Sequence, residues 1–246
     1  FWGLDLLQCS FYNNNRHMKI TAALETLLAL SFGTFLAFGE GISLNQDSDN
    51  FFARYTDVER DLTVRGLQSL PAIYCQGQSR EVIFDGNSQK VSYETHTRFD
   101  SLWTDCEFLE DGVVLYKGSP LAEGFARIAR SAKRLHDAGI NPYTVWFDYV
   151  RAKGYSPWIS MRMNDMHGSR PEDYLTNNFW SEHPELRYGE GGYGFDFAQP
   201  EVRKYSFELI HEYLTLFDVD GIEIDWSRFM VMLRTGHELE DAHCLT

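Results

Sequence analysis

The chain has 246 residues and a formal net charge of −14, which argues against a nucleic-acid backbone as partner, since that would call for a basic surface. The length suits one (β/α)8 barrel or two smaller domains. Cys9, Cys75, Cys106 and Cys244 are scattered without CxxC spacing, which excludes a zinc motif and a disulfide framework and leaves room for one bridge. Aromatic residues make up 15% of the chain, enough for a large core and, as the less ordinary use, for stacking on sugars.

Residues 1–17 show neither helical nor strand periodicity and read as upstream read-through, with Met18 as the start. Residues 18–41 then resemble a signal peptide or membrane anchor: Met18-Lys19 opens the apolar run Ile20 to Phe38, followed by small residues at Gly39 to Gly41. Glu25 weighs against both readings, and a buried helix is the ordinary alternative. The expected location is accordingly secreted or periplasmic, with membrane contact only through an uncleaved anchor. Residues 42–80 read as a linker and N-terminal segment. Asn45 to Asn50 is its polar stretch, Phe51 to Leu62 a short helix and Leu67 to Tyr74 a strand.

From residue 81 to 246 the pattern alternates strand and helix. Glu81 to Phe84 reads as a strand closed by the turn Asp85-Gly86-Asn87, and Val113 to Tyr116 as a second buried strand. Ser119-Pro120 and Asn141-Pro142 give two N-cap signals, with Ala138-Gly139 stopping the first helix. Asp148 falls on the second helix as surface charge. Pro157 to Asn164 alternates as a third strand, with Ile159, Met161 and Met163 on one face and Ser160, Arg162 and Asn164 on the other. Asn178 to Arg187 reads as a short helical excursion, and Gln199-Pro200-Glu201 opens a helix to Phe217. Asp218 to Trp226 closes the series as a fourth strand. This alternation indicates a parallel sheet covered by helices.

The candidate chemistry lies on the last two strands. Ile222, Ile224 and Trp226 share one face and Glu223 and Asp225 the other, and carboxylates on the inner face of a buried strand are costly unless paired or used. Their Cα atoms are ~7 Å apart, within the carboxyl spacing of a glycosidase pair. Neighbours on one strand rarely approach a sugar from opposite sides, so Asp225 is the expected acting acid. Glu223 then orients Arg162 or Arg228, or tunes Asp225. Arg162, Asn164, Asp165 and His167 form a second cluster suited to hydroxyls or a carboxylate, with His167 able to move protons. Structural alternatives are an ion-pair network for the acids, an N-cap for Asp165 and a surface imidazole for His167. No cofactor motif or metal-ligand spacing occurs, and Gly189 to Gly194 lacks the strand-before, helix-after context of a phosphate loop.

The strings PWISMRMNDMHG, FWSEHPELR, FDFAQPEVRKY and YLTLFDVDGIEIDWSRF occur in this order over residues 157–229. They resemble the bacterial glycoside-hydrolase-like proteins called family-10-like, over residues 81–246. The resemblance implies a (β/α)8 TIM barrel of α/β class, truncated here after about four strands, and a carbohydrate as partner. It also implies that Asp225 is the acid ending the fourth-strand motif, that Arg162, Asn164, Asp165 and His167 form the RMND-x-H motif, and that the partner acid lies in the absent half. The fragment alone is then expected to be inactive. Family 18 chitinases carry D-G-x-D-x-D-x-E on the corresponding strand. Ser227 stands where their proton-donating glutamate would be, so a chitinase is rejected. Alternatives to a glycosidase are a non-catalytic carbohydrate-binding barrel and, less favoured, a lyase or isomerase.

Overall fold

The computed structural model describes residues 10–12, 42–55, 57–77, 79–168, 170–188, 193–229, 231–234 and 236–245. The leader-like segment 18–41 and Cys9 lie outside them. The order is β1 (Ser10–Tyr12), β2 (Ile42–Gln46), α1 (Asp49–Arg54), α2 (Val64–Tyr74), β3 (Ser79–Asp85), β4 (Lys90–Val91), β5 (Asp100–Ser101), β6 (Cys106–Phe108), β7 (Val114–Tyr116) and β8 (Ser119–Pro120). There follow α3 (Glu123–Asp137), α4 (Pro142–Ala152), β9 (Ser156–Arg162), α5 (Asn178–Glu182), α6 (Pro200–Leu216), β10 (Gly221–Asp225) and α7 (Glu238–Asp241).

The main sheet runs β2-β3-β9-β10 with all neighbours parallel, and β1 pairs antiparallel on the β10 edge. This overturns the expected (β/α)8 barrel. Four parallel strands form an open sheet that does not close on itself, whereas a barrel needs eight. The sheet does curl. Asn45 on β2 donates a hydrogen bond of 2.9 Å to Glu223 on β10, although β3 and β9 lie between them. On a flat sheet three strand spacings would put these backbones about 14 Å apart, beyond the reach of the two side chains. The polar face is therefore concave.

Two strands depart from the sequence expectation. Ile42–Gln46 supplies an edge strand in the segment read as a linker, and Val114–Tyr116 belongs to a separate antiparallel sheet, β6-β7-β8. The cause of the second is local. Lys117 and Gly118 both have positive φ, 50° and 80°, which is the two-residue turn that folds β7 back on β8. Ser119–Pro120, expected to cap a helix, is spent on that return strand, so α3 begins later, after Ala122. Leu67 to Tyr74 is the body of α2 and not a strand; the Thr63 hydroxyl accepts from Gly66 N at 3.0 Å and starts it. Asn141 caps α4 as expected, accepting from Tyr143 N at 3.0 Å, with Pro142 at the first helical position.

α4 and α6 contribute much of the core on the apolar face of the sheet. Ile159, Met161 and Ile222 are fully buried there with Phe84. Phe84 stacks on Trp146 of α4 at 5.2 Å, and Phe217 closes over Phe147 and Tyr143. Trp146 also donates its indole N–H to Leu67 O at 3.0 Å, tying α4 to α2. Truncating Trp146 to alanine would cost about 3–5 kcal/mol from lost transfer energy and the cavity left behind. Trp226 packs partly buried against this core, edge-on to Phe197 at 4.9 Å. Cys75, Cys106 and Cys244 are free thiols.

Candidate functional site at the C-terminal edge of the sheet

Because the four long strands are parallel, their C-terminal ends meet at one edge. In open α/β sheets this is the edge at which ligands bind. Strand parity puts Val82, Phe84, Ile159, Met161, Ile222 and Ile224 against the helices and Asp85, Ser160, Arg162, Glu223 and Asp225 on the concave face, with Ile83 and Trp158 lower on that face. Register aligns Asp85 with Ser160 and Ser160 with Glu223, then Arg162 with Asp225. Lower down, Gly221 makes room on this face for Trp158: a Cβ there would lie 2.6 Å from its ring. The first acid of the DGIEID run has a structural task. Asp220 accepts from Arg151 at 3.0 Å and from Ser156 at 2.8 Å, at the opposite end of the strands.

Arg162 is the hub of the edge. Its guanidinium bonds to Asp85 and lies 3.2 Å from Asp47 and 3.6 Å from Asp165, with only 6% of the side chain exposed. Burial works against its charge, but the facing Asp85, Asp47 and Asp165 outweigh that and hold its proton affinity above the ordinary arginine value. Arg162 was expected to contact substrate. The structure instead surrounds it with three carboxylates, two of which, Asp47 and Asp85, had not been singled out from the sequence.

The strand end carrying Arg162 is clamped by a buried amide. Asn87 accepts from Arg162 N at 3.0 Å and donates to Arg162 O at 3.0 Å, extending the β3–β9 ladder with a side chain. Asn164 does the same one turn on. It accepts from Phe195 N at 3.0 Å and donates to Phe195 O and Val231 O at 3.3 and 2.8 Å. With its amide committed to backbone and its side chain buried, Asn164 holds loops together where substrate contact was expected. Gln89 adds a third clamp, accepting from Asn177 N and donating to Gly168 O.

Asp165 and His167 form a dyad just past the strand. Asp165 Oδ1 accepts from His167 N at 2.9 Å and from His167 Nδ1 at 2.7 Å, with the Asp165 side chain 1% exposed. The hydrogen bond to Asp165 raises the proton affinity of His167, against burial and the neighbouring Arg228 and Arg162, which lower it; the net direction is upward. Nε2 faces Arg228 Nη2 at 3.0 Å, and Phe229 packs edge-on to the ring at 5.6 Å. Since guanidinium only donates, that contact is a hydrogen bond when Nε2 is bare and a repulsion when the ring is protonated.

On β10, Asp225 Oδ1 accepts from Ser227 N at 2.8 Å and Ser227 Oγ at 2.7 Å. Among the described residues its Oδ2 has no hydrogen-bond or ion-pair partner. Glu223 is engaged with Asn45. Of the seven expected site residues, Glu223, Asp225, Arg162, Asp165, His167 and Arg228 share the polar edge, and Asn164 sits behind it. Among the described residues no group of three or more His, Cys, Asp or Glu is placed to hold a metal ion. None of the described helices is long and apolar enough to cross a membrane. No protein-family profile matches the chain, and no curated protein matches it in sequence.

Proposed function

We propose that the sheet edge is a glycan-hydrolysing site in which Asp225 is the acting carboxylate and His167, oriented by Asp165, moves the proton. One observation carries this reading. Asp225 is fixed through Oδ1 while its Oδ2 has no partner among the described residues, whereas Asp47 and Asp85 are tied to Arg162 and Glu223 to Asn45; Asp165, whose Oδ2 lies 3.6 Å from Arg162 without a hydrogen bond, is buried beneath His167. A carboxylate held on one oxygen and open on the other can attack an anomeric carbon or take a proton from water. Glycosidases need a second proton-handling group. His167, with its affinity raised and its ring aimed by a buried carboxylate, has the character of a general acid. The two strings that resemble the family-10-like hydrolases, RMNDMH and DGIEIDW, supply the residues of this edge. With the barrel overturned, the expectation that the partner acid lies in a second barrel half loses its ground; the reading rests on the site and not on the fold, with His167 in the partner's place.

The test is turnover of a glycan panel by the protein and by Asp225→Asn. Loss of about 10²-fold or more in kcat in the variant, with binding retained, is the expected result. The engagement of every other carboxylate at the edge favours a second reading, a carbohydrate-binding module without catalysis. Binding with no turnover, unchanged in Asp225→Asn, would assign the site to that reading.

A further inference from the structure

The chain is strongly acidic as a whole, at −14, yet two turns of α3 reverse the sign. Arg127, Arg130, Lys133 and Arg134 line one open groove of about 850 Å³, where the acids are Glu123 and Asp137. The groove also has an apolar wall that includes Leu62 and Phe108, the latter 37% exposed.

The two acids do not saturate the four bases. Glu123 meets Arg130 at 2.7 Å and lies 3.8 Å from Arg127, and Asp137 meets Lys133 at 2.5 Å. Arg134 forms no ion pair among the described residues. Arg127 Nε is shut off from solvent without a hydrogen-bond acceptor among the described residues, since 3.8 Å is too long for one. A buried donor left this way is costly unless a ligand or water completes it.

Spacing gives the occupant its shape. Arg127, Arg130 and Arg134 follow i, i+3, i+7, so they share one helix face and spread over about 10 Å along its axis. A row of guanidiniums matches anionic groups repeated along an extended chain, and a free fork such as that of Arg134 takes a carboxylate or sulfate through two hydrogen bonds, while Arg130 donates to Glu123 and Gly112 O. Phe108 beside the row offers a surface for the apolar face of a sugar ring. We propose that the α3 groove docks an acidic oligosaccharide carrying carboxylate or sulfate groups along its length. The choice of a glycan over another polyanion rests on the hydrolase reading above; the charge argument does not.

The experiment is calorimetric titration of the full chain with oligogalacturonate, dextran sulfate, neutral dextran and poly-glutamate, at low and high salt. One or both acidic glycans bind, neutral dextran does not, and raising the salt weakens the affinity. Binding of oligogalacturonate alone identifies carboxylate as the recognised group, and of dextran sulfate alone, sulfate. Arg130→Gln/Arg134→Gln weakens binding by about tenfold or more. Arg134→Glu, a change at an exposed and unpaired position, gives the same loss if the double variant does not fold. The proposal is overturned if neither acidic glycan binds, if the α3 variants bind as the parent does, or if poly-glutamate binds equally well, which would make the groove a protein-docking face. Failure of the hydrolase reading has a different signature: no turnover on the glycan panel, with this binding intact.

Discussion

Replacing Lys90 with methionine should stabilise the protein at neutral pH, although Lys90 is fully buried on β4. Among the described residues its Nζ has no hydrogen-bond partner, and it lies 4.5 and 5.1 Å from the ring centroids of Tyr116 and Tyr174. Burial lowers the amine from 10.5 to about 8, against the pull of Asp100, Cys106 and Asp105. That difference corresponds to about 3 kcal/mol of cost for holding the charge inside at neutral pH. The sign follows from proton counting. Between the folded midpoint and the unfolded one, the unfolded chain holds a proton that the folded chain has released, so stability rises with pH. From about pH 7 to about pH 9.5 the gain is about 2 kcal/mol. The two rings return roughly 1 kcal/mol to the charged form, so Lys90→Met gains about 1–2 kcal/mol at pH 7. Urea unfolding followed by tryptophan fluorescence across that range measures both quantities. The parent midpoint should climb with pH, and the variant should start higher and stay flatter. A variant with the parent's slope, or a parent that loses stability over this window, would refute the reasoning.

Arg162→Ala leaves Asp47, Asp85 and Asp165 without their shared cation and should cost about 3–5 kcal/mol in denaturant unfolding; a loss below about 1 kcal/mol would mean the three carboxylates find other partners. Asn87→Ala removes both hydrogen bonds that hold the Arg162 backbone and should cost about 2 kcal/mol, with faster amide exchange at Arg162 than at Ile159 as the local readout. The Asp165–His167 pair titrates in a stated direction. Because the folded midpoint of His167 is raised, its contribution to stability is present below the ordinary histidine value and is lost as pH rises through the folded value. Asp165→Asn should bring the His167 midpoint down in an NMR titration, and an unchanged midpoint would show that the carboxylate does not set it.

Where one face of an element had to be apolar, the sequence was enough. Ile159 and Met161 alternate with Ser160 and Arg162, as Ile222 and Ile224 do with Glu223 and Asp225, and both stretches are strands. α4 and α6 start at their prolines. Val113 to Tyr116 shows the limit, because a four-residue apolar run does not say which sheet it joins. The Lys117-Gly118 turn decided that, and its signal lies in backbone conformation. Leu67 to Tyr74 was legible and misread. Leu67, Leu70, Pro71 and Tyr74 follow i, i+3, i+4, i+7, the helical spacing, and the helix accommodates Pro71 in its interior. Closure of a barrel is a property of the whole sheet, and no local period encodes it.

The same limit explains why Arg162 looked like a substrate ligand. Parity places a charged side chain on the polar face of a strand but does not say whether it meets a ligand or its neighbours. Asp47 and Asp85 precede it by more than seventy residues, and they converge on it because β2, β3 and β9 end together on a curled sheet. Once three carboxylates enclose that guanidinium and Asn164 is spent on backbone, the edge keeps a shorter set of groups for chemistry: the open oxygen of Asp225, the ring of His167 and the donors of Arg228 that do not face it. In the proposed site, Arg228 is then the cation left to meet a substrate. Its contact with Nε2 also means that a protonated His167 would release it. In the proposed reaction, charging the acid and freeing the arginine would be one event, set by the Asp165 hydrogen bond behind the ring.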